Sequence, residues 1–249
     1  MKLLLPREHG AYGQLLLPLV TGLVLWGTPR LSSYLLCLTA LGLFWAHEPL
    51  LILLGHRGSR QHRDLGRRAW VLLLLLLAVA LGSLLGAWQL LPSSQRMHLG
   101  WPLGLGVLVL PWLWSKQEKT SSAELLVALA LSAWVVPVSL SKGVGLSRAL
   151  ALWLSFAGLF AVAVLAVRGL LNKLSLGWSL GAAVLTLLGA VLGGEAELLP
   201  KDLAWPLVPT LLMALGLSLA RPGPQRLKQV GWLIVATTVV QTALLALRL

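Results

Sequence analysis

The stretch Ala69-Trp-Val-Leu-Leu-Leu-Leu-Leu-Leu-Ala-Val-Ala-Leu-Gly-Ser-Leu-Leu-Gly-Ala-Trp-Gln-Leu-Leu91 decides the fold of this chain. It carries no charge and exceeds the roughly 20 apolar residues that a helix needs to cross the hydrocarbon core. Trp70 and Trp88 stand near its ends, where an amphipathic ring suits the membrane interface. Just before it, residues 55–68 hold Arg57, Arg60, Arg63, Arg67 and Arg68. An uncharged span beside a basic flank reads as a transmembrane helix anchored on one side.

The same pattern recurs along the chain. Glycines, prolines and charge clusters divide it into spans of about 11–28, 33–54, 69–91, 99–114, 123–140, 148–167, 175–193, 203–220 and 230–247. These predict an all-α, polytopic bundle of nine helices forming one transmembrane domain over residues 1–249. Composition agrees: 57% of the 249 residues are hydrophobic and 11% charged, with mean hydropathy +0.85. A soluble domain carries about 25% charged residues, so soluble folds are excluded. The opening Met1-Lys2-Leu3-Leu4-Leu5 is broken at once by Pro6-Arg7-Glu8-His9 and is read as uncleaved. Cys37 is the single cysteine and implies no disulfide framework.

The net charge of +12 must be placed relative to the bilayer. With the N-terminus inside, 14 of the 20 Lys and Arg residues fall on inner segments and 6 on outer ones, the sense the positive-inside rule favours. The expected topology is N-in, C-out. Short basic loops between spans offer no stacking surface for bases, so no nucleic acid is expected.

Few polar residues lie deep. His47-Glu48 precedes Pro49 about seven residues before the end of the second span, roughly 10 Å at 1.5 Å per residue. An ionisable group in a span normally faces a bundle interior or a wet cavity. Glu48 therefore reads either as an ion pair with Arg7 or with a base of residues 55–68, or as an acid–base group with His47. Glu48, Ile52 and His56 share one helical face that Glu8 and His9 could approach, making His9, Glu48 and His56 weak metal candidates. The arginines of 55–68 serve as a topology anchor or as bidentate phosphate contacts. Lys116, Lys119 and Thr120, then Arg168, Asn172 and Lys173, form two further basic inner segments.

Pro6-Arg-Glu-His-Gly-Ala-Tyr-Gly13, Leu17-Pro18 and Thr21-Gly22 resemble the opening of the YwiC-like family, with Tyr12 where Trp is usual. Ser115-Lys-Gln-Glu-Lys-Thr-Ser-Ser-Ala-Glu124, Val167-Arg-Gly-Leu-Leu-Asn172 and Lys228-Gln-Val-Gly231 look similar more loosely. The resemblance implies a bacterial integral membrane protein and specifies no reaction or cofactor; with the N-in topology, the expectation is a multi-pass protein of the cytoplasmic membrane with its N-terminus in the cytoplasm. More distantly, the predicted architecture is similar to that of UbiA-type prenyltransferases, which also have nine helices. Their Asp-rich motifs correspond to residues 47–68 and 164–178. The first region here holds Glu48 and Asp64, and the second no acid. Two Mg²⁺ ions would have few carboxylates to bind them, which argues against metal-dependent prenyl transfer.

Three functional readings remain open. In the first, the bundle holds an isoprenoid or anionic phospholipid by its tail. His9, Tyr12, Arg57, Arg60, Arg63, Lys116, Arg168 and Asn172 then contact the ligand, with Glu48 and His47 as acid–base candidates. In the second, Glu48 is the coupling site of an ion-driven transporter. In the third, the chain is a non-catalytic membrane scaffold for a protein partner.

Overall fold

A computed structural model describes residues 4, 6, 9–117, 119–171 and 174–248, with His9 by its backbone alone. Among them are nine helices: α1 (His9–Val24), α2 (Leu31–Leu53), α3 (Ser59–Leu90), α4 (Ser93–Trp114), α5 (Ser121–Ser141), α6 (Leu146–Leu170), α7 (Gly177–Glu195), α8 (Lys201–Ala220) and α9 (Pro224–Arg248). There is no strand among the described residues. All but α1 are long and apolar enough to cross a membrane. A bilayer leaves backbone groups no water to bond with, and helices satisfy their own. Connections are short, so consecutive helices run antiparallel and alternate between two faces. The face where α1 starts is called here the N-terminal face, and the other the distal face.

Several predicted boundaries shift: α4 and α9 start about six residues before the expected 99 and 230, and three further differences have a clear physical reason. Residues 59–68 are not a loop but the first turns of α3, a helix of 32 residues. From Trp70 to Trp88 is about 27 Å, close to the ~30 Å hydrocarbon core. Arginine is a good helix former, so the basic segment continues the helix beyond the bilayer. At the first span, α1 stops at Val24, where Trp26 (φ 48°) and Gly27 (φ 72°) turn the chain in the left-handed region. The third shift is in α5, which is interrupted between Ser132 and Val135, just before Pro137. A proline lacks the amide that would continue the ladder. Pro111, by contrast, sits in α4 without breaking it.

Packing is uneven. α2 and α3 form the most extensive helix pair, and α3 otherwise faces outward. At the centre, α6 packs against α1, α5, α7, α8 and α9. Phe156, Leu159, Val162 and Ala166 of α6 meet Ala183, Met213 and Leu217 in one core cluster. Outward faces of α3, α4, α7 and α9 expose residues such as Leu74, Leu75, Val107, Leu185 and Val239. So much exposed apolar surface is a lipid-facing exterior. Trp70, Trp88, Trp101, Trp114, Trp178, Trp205 and Trp232 are exposed near the ends of the apolar spans, as interfacial belts require.

Candidate functional site

A cavity of about 730 Å³ opens among α1 to α5, with Val164 of α6 also lining it, well within the range of small-molecule sites. Its walls are apolar: Ala11 of α1, Leu43 and Phe44 of α2, Leu73 and Leu77 of α3, Leu110 and Leu113 of α4, Val127 and Leu131 of α5. Polar groups gather at one end, toward the N-terminal face. They are Gln14 of α1, His47 of α2, and Lys119 and Glu124 at the start of α5. Tyr12 packs edge-on against the wall residue Phe44, with ring centroids 4.9 Å apart.

Local sequence explains the polar end. Thr120 caps α5 by accepting a hydrogen bond from the Ala123 amide at 3.3 Å, which satisfies one of the free amides of a helix start. Glu124 in that first turn is favoured by the helix dipole. Arg168, in the last turn of α6, donates from Nε to Glu124 Oε2 at 2.8 Å, and its second nitrogen lies 2.6 Å from Oε1. It also donates to the Lys119 carbonyl. This fork-to-fork geometry neutralises Glu124 beside the cavity and ties α6 to the α4–α5 connection. Lys119 and Lys116 are exposed, and Lys116 bends the connection with a left-handed φ of 57°.

Glu48 is 1% exposed and does not line the cavity. Arg57 donates from Nε to its Oε1 at 3.0 Å and from a terminal nitrogen to Oε2 at 2.5 Å. The ion pair with a base of residues 55–68 is thus present, formed where the chain turns from α2 into α3. Pairing with a guanidinium is what makes a carboxylate tolerable at this burial. His62 folds back on the same turn, with Nδ1 3.1 Å from the Ile52 carbonyl. Arg60 and Arg63 are exposed on the charged extension of α3, and Arg60 lies 3.9 Å from Asp64.

The structure therefore brings His47 to the cavity and sets Arg168 behind Glu124, while Arg57 pairs with Glu48. Arg60, Arg63 and Lys116 do not line the cavity. Asn172, Arg7, Glu8 and the His9 side chain lie outside the described residues. Among the described residues, no three His, Cys, Asp or Glu side chains gather as a metal site. Sequence reasoning missed Glu124 and Lys142. The first had a signal, since an acid in a capped first turn stands out among so few. Lys142 had none: it is 5% exposed, and its ammonium donates to the carbonyls of Gly22, Leu23 and Leu25 at 2.9, 2.8 and 2.5 Å. It closes the open end of α1, where carbonyls lack helical partners.

A family model described as YwiC-like protein matches residues 5–139. No curated protein and no solved structure is significantly similar to the chain. The matched segment runs from before α1 into the second half of α5, and it holds every cavity-lining residue except Val164. Because the match covers more than half of the sequence, the chain belongs to the YwiC-like family.

Proposed function

We propose that this multi-pass membrane protein binds an isoprenoid or phospholipid, with the hydrocarbon tail in the cavity and the phosphate head at the N-terminal face. One observation carries the reading: an apolar cavity whose only charged lining groups, among the described residues, sit together at one end. Lys119 and His47 are the head contacts. Glu124 does not repel the head as a free carboxylate would, because Arg168 neutralises it through two hydrogen-bonding nitrogens. His47 is the acid–base candidate that lines the cavity, while Glu48 and Arg57 brace the turn beside it.

The N-terminal face carries the denser set of basic residues, which supports a cytoplasmic head site. Glu48, on which an ion-coupled carrier would depend, is paired and does not line the cavity, so the geometry favours the lipid reading over transport. UbiA-type enzymes likewise have nine helices, but the regions corresponding to their Asp-rich motifs hold only the carboxylates of Glu48 and Asp64 here.

Thermal unfolding of the purified protein in detergent tests this, titrated with a long-chain isoprenyl phosphate and with the matching alcohol. At 100 times its dissociation constant, a ligand of the folded state stabilises by about 2.7 kcal/mol. The phosphate is expected to give a saturable shift that Lys119→Ala and His47→Ala weaken and Arg60→Ala does not. Equal affinity for the alcohol would remove the head site, and no shift with either lipid would remove the proposal.

A further inference from the structure

The cavity has a floor and a side opening. Among the described residues, none lines it beyond Ala40 on α2, Pro102 on α4 or Trp134 on α5, although each helix continues toward the distal face. Trp134 is 5% exposed and sits at the interruption of α5. From Glu124 at the polar end to Trp134 is roughly 15 Å of helix. The hydrocarbon core measures ~30 Å, so the cavity is about one leaflet deep.

The side opening lies between α3 and α4. α3 packs on α2 and α4 on α5, but α3 and α4 scarcely meet. Leu73 and Leu77 line the cavity from one side of the gap, and Gly106, Val107 and Leu110 from the other. Val107 is 61% exposed, so the cavity reaches the lipid-facing surface there. Gly106 keeps it wide: a Cβ at this position would meet nothing within 4 Å.

We infer that a bilayer lipid of the leaflet at the N-terminal face slides its tail sideways between α3 and α4, and that the cavity selects tails by length. Gly106 sets its width and Trp134 its floor. This rests on the lipid-binding reading above. A tail lying in a pocket one leaflet deep keeps its head level with the other headgroups, beside Lys119 and His47. A longer tail must bend back through the gap or leave apolar surface unburied, and its extra methylenes add no affinity.

The experiment measures affinity in detergent for isoprenyl monophosphates of increasing chain length. Wild type, Gly106→Leu and Gly104→Leu are compared. Gly104 is the control, since it lies on the same helix with equally free space and does not line the cavity. Wild-type affinity is expected to rise with length and then level off. Gly106→Leu should move that limit to shorter chains and weaken long-chain binding about tenfold, equivalent to ~1.4 kcal/mol. Gly104→Leu should match wild type. In vesicles, Val107→Trp should slow loading without moving the length limit.

Affinity that climbs through the whole series, or identical behaviour of the two glycine variants, overturns length selection while lipid binding stands. Loading of Val107→Trp at the wild-type rate overturns the lateral route. No binding of any chain by folded wild type overturns the underlying reading as well.

Discussion

The helices α1 to α5, which border the cavity, and the helices α6 to α9 are built from the same leucine, alanine and glycine, and in both the role of a glycine depends on what faces it. In the second group, glycines let helices close up. A Cβ at Gly158 of α6 would collide with the Thr186 side chain of α7, and one at Gly169 would come within 2.6 Å of Leu176. A polar link adds to this. Gln241 of α9 donates to the Ser155 carbonyl of α6 at 2.9 Å and accepts from Thr210 of α8. In the first group, Gly10 and Gly106 meet nothing at the Cβ position and border the cavity. Both uses occur in both groups: a Cβ at Gly42 of α2 would come within 3.1 Å of Ala80 of α3, whereas one at Gly181 of α7 or Gly216 of α8 would meet nothing within 4 Å. Small residues in a membrane bundle therefore carry no fixed meaning until the facing helix is known.

The charged pair of the cavity half gives the largest expected effect. Glu48→Gln removes a buried carboxylate from Arg57 and should cost about 3 kcal/mol in unfolding free energy measured in detergent. Replacing both partners with apolar residues, as in Glu48→Leu with Arg57→Met, should recover most of that. A Glu48→Gln protein of wild-type stability that loses lipid binding would instead make Glu48 a functional group of the cavity.

Next comes Lys142→Met, which strips three carbonyls at the end of α1 of their donor. Hydrogen bonds from charged groups contribute about 1.5–3 kcal/mol, so a loss of about 2 kcal/mol is expected, visible as a lower unfolding temperature. Retention of wild-type stability would mean that other groups close α1.

The sharpest contrast between a packed and an open glycine uses one substitution twice. Gly158→Ala overpacks against Thr186 and should destabilise by about 1–2 kcal/mol. Gly106→Ala enters open space and should be neutral or gain up to ~1 kcal/mol from helix propensity. Equal effects at both sites would break the distinction drawn above. The smallest effect belongs to Arg60→Ala on the exposed extension of α3. Neither its unfolding temperature nor its lipid-phosphate affinity should change, because an exposed ion pair contributes almost nothing.

Much of the fold was legible beforehand. The run 69–91 needed no partner to be read as a membrane helix, and most tryptophans near span ends are exposed there, although Trp26 and Trp112 are half-buried. The first turns of α3 are not legible as helix from their charge, because a helix leaving the bilayer keeps its backbone bonds and changes only its side chains. Of the candidate site, His47 was found by its depth in an apolar span. Glu124 sits in a capped first turn, a local signal that does not say what it pairs with. The partnership of Arg168 with Glu124 joins residues 44 positions apart, which no local pattern displays.

The sequence by itself determined that this is a helical membrane protein, how many helices it has and where most of them run. Hydropathy and backbone hydrogen bonding act within a single segment, so one segment suffices to read them. Only the tertiary structure decided which cations close helix ends, which glycines pack and which leave room, and that six helices border a one-ended polar cavity. Those properties depend on distances between segments, and such distances are set by how side chains from separate helices fit together.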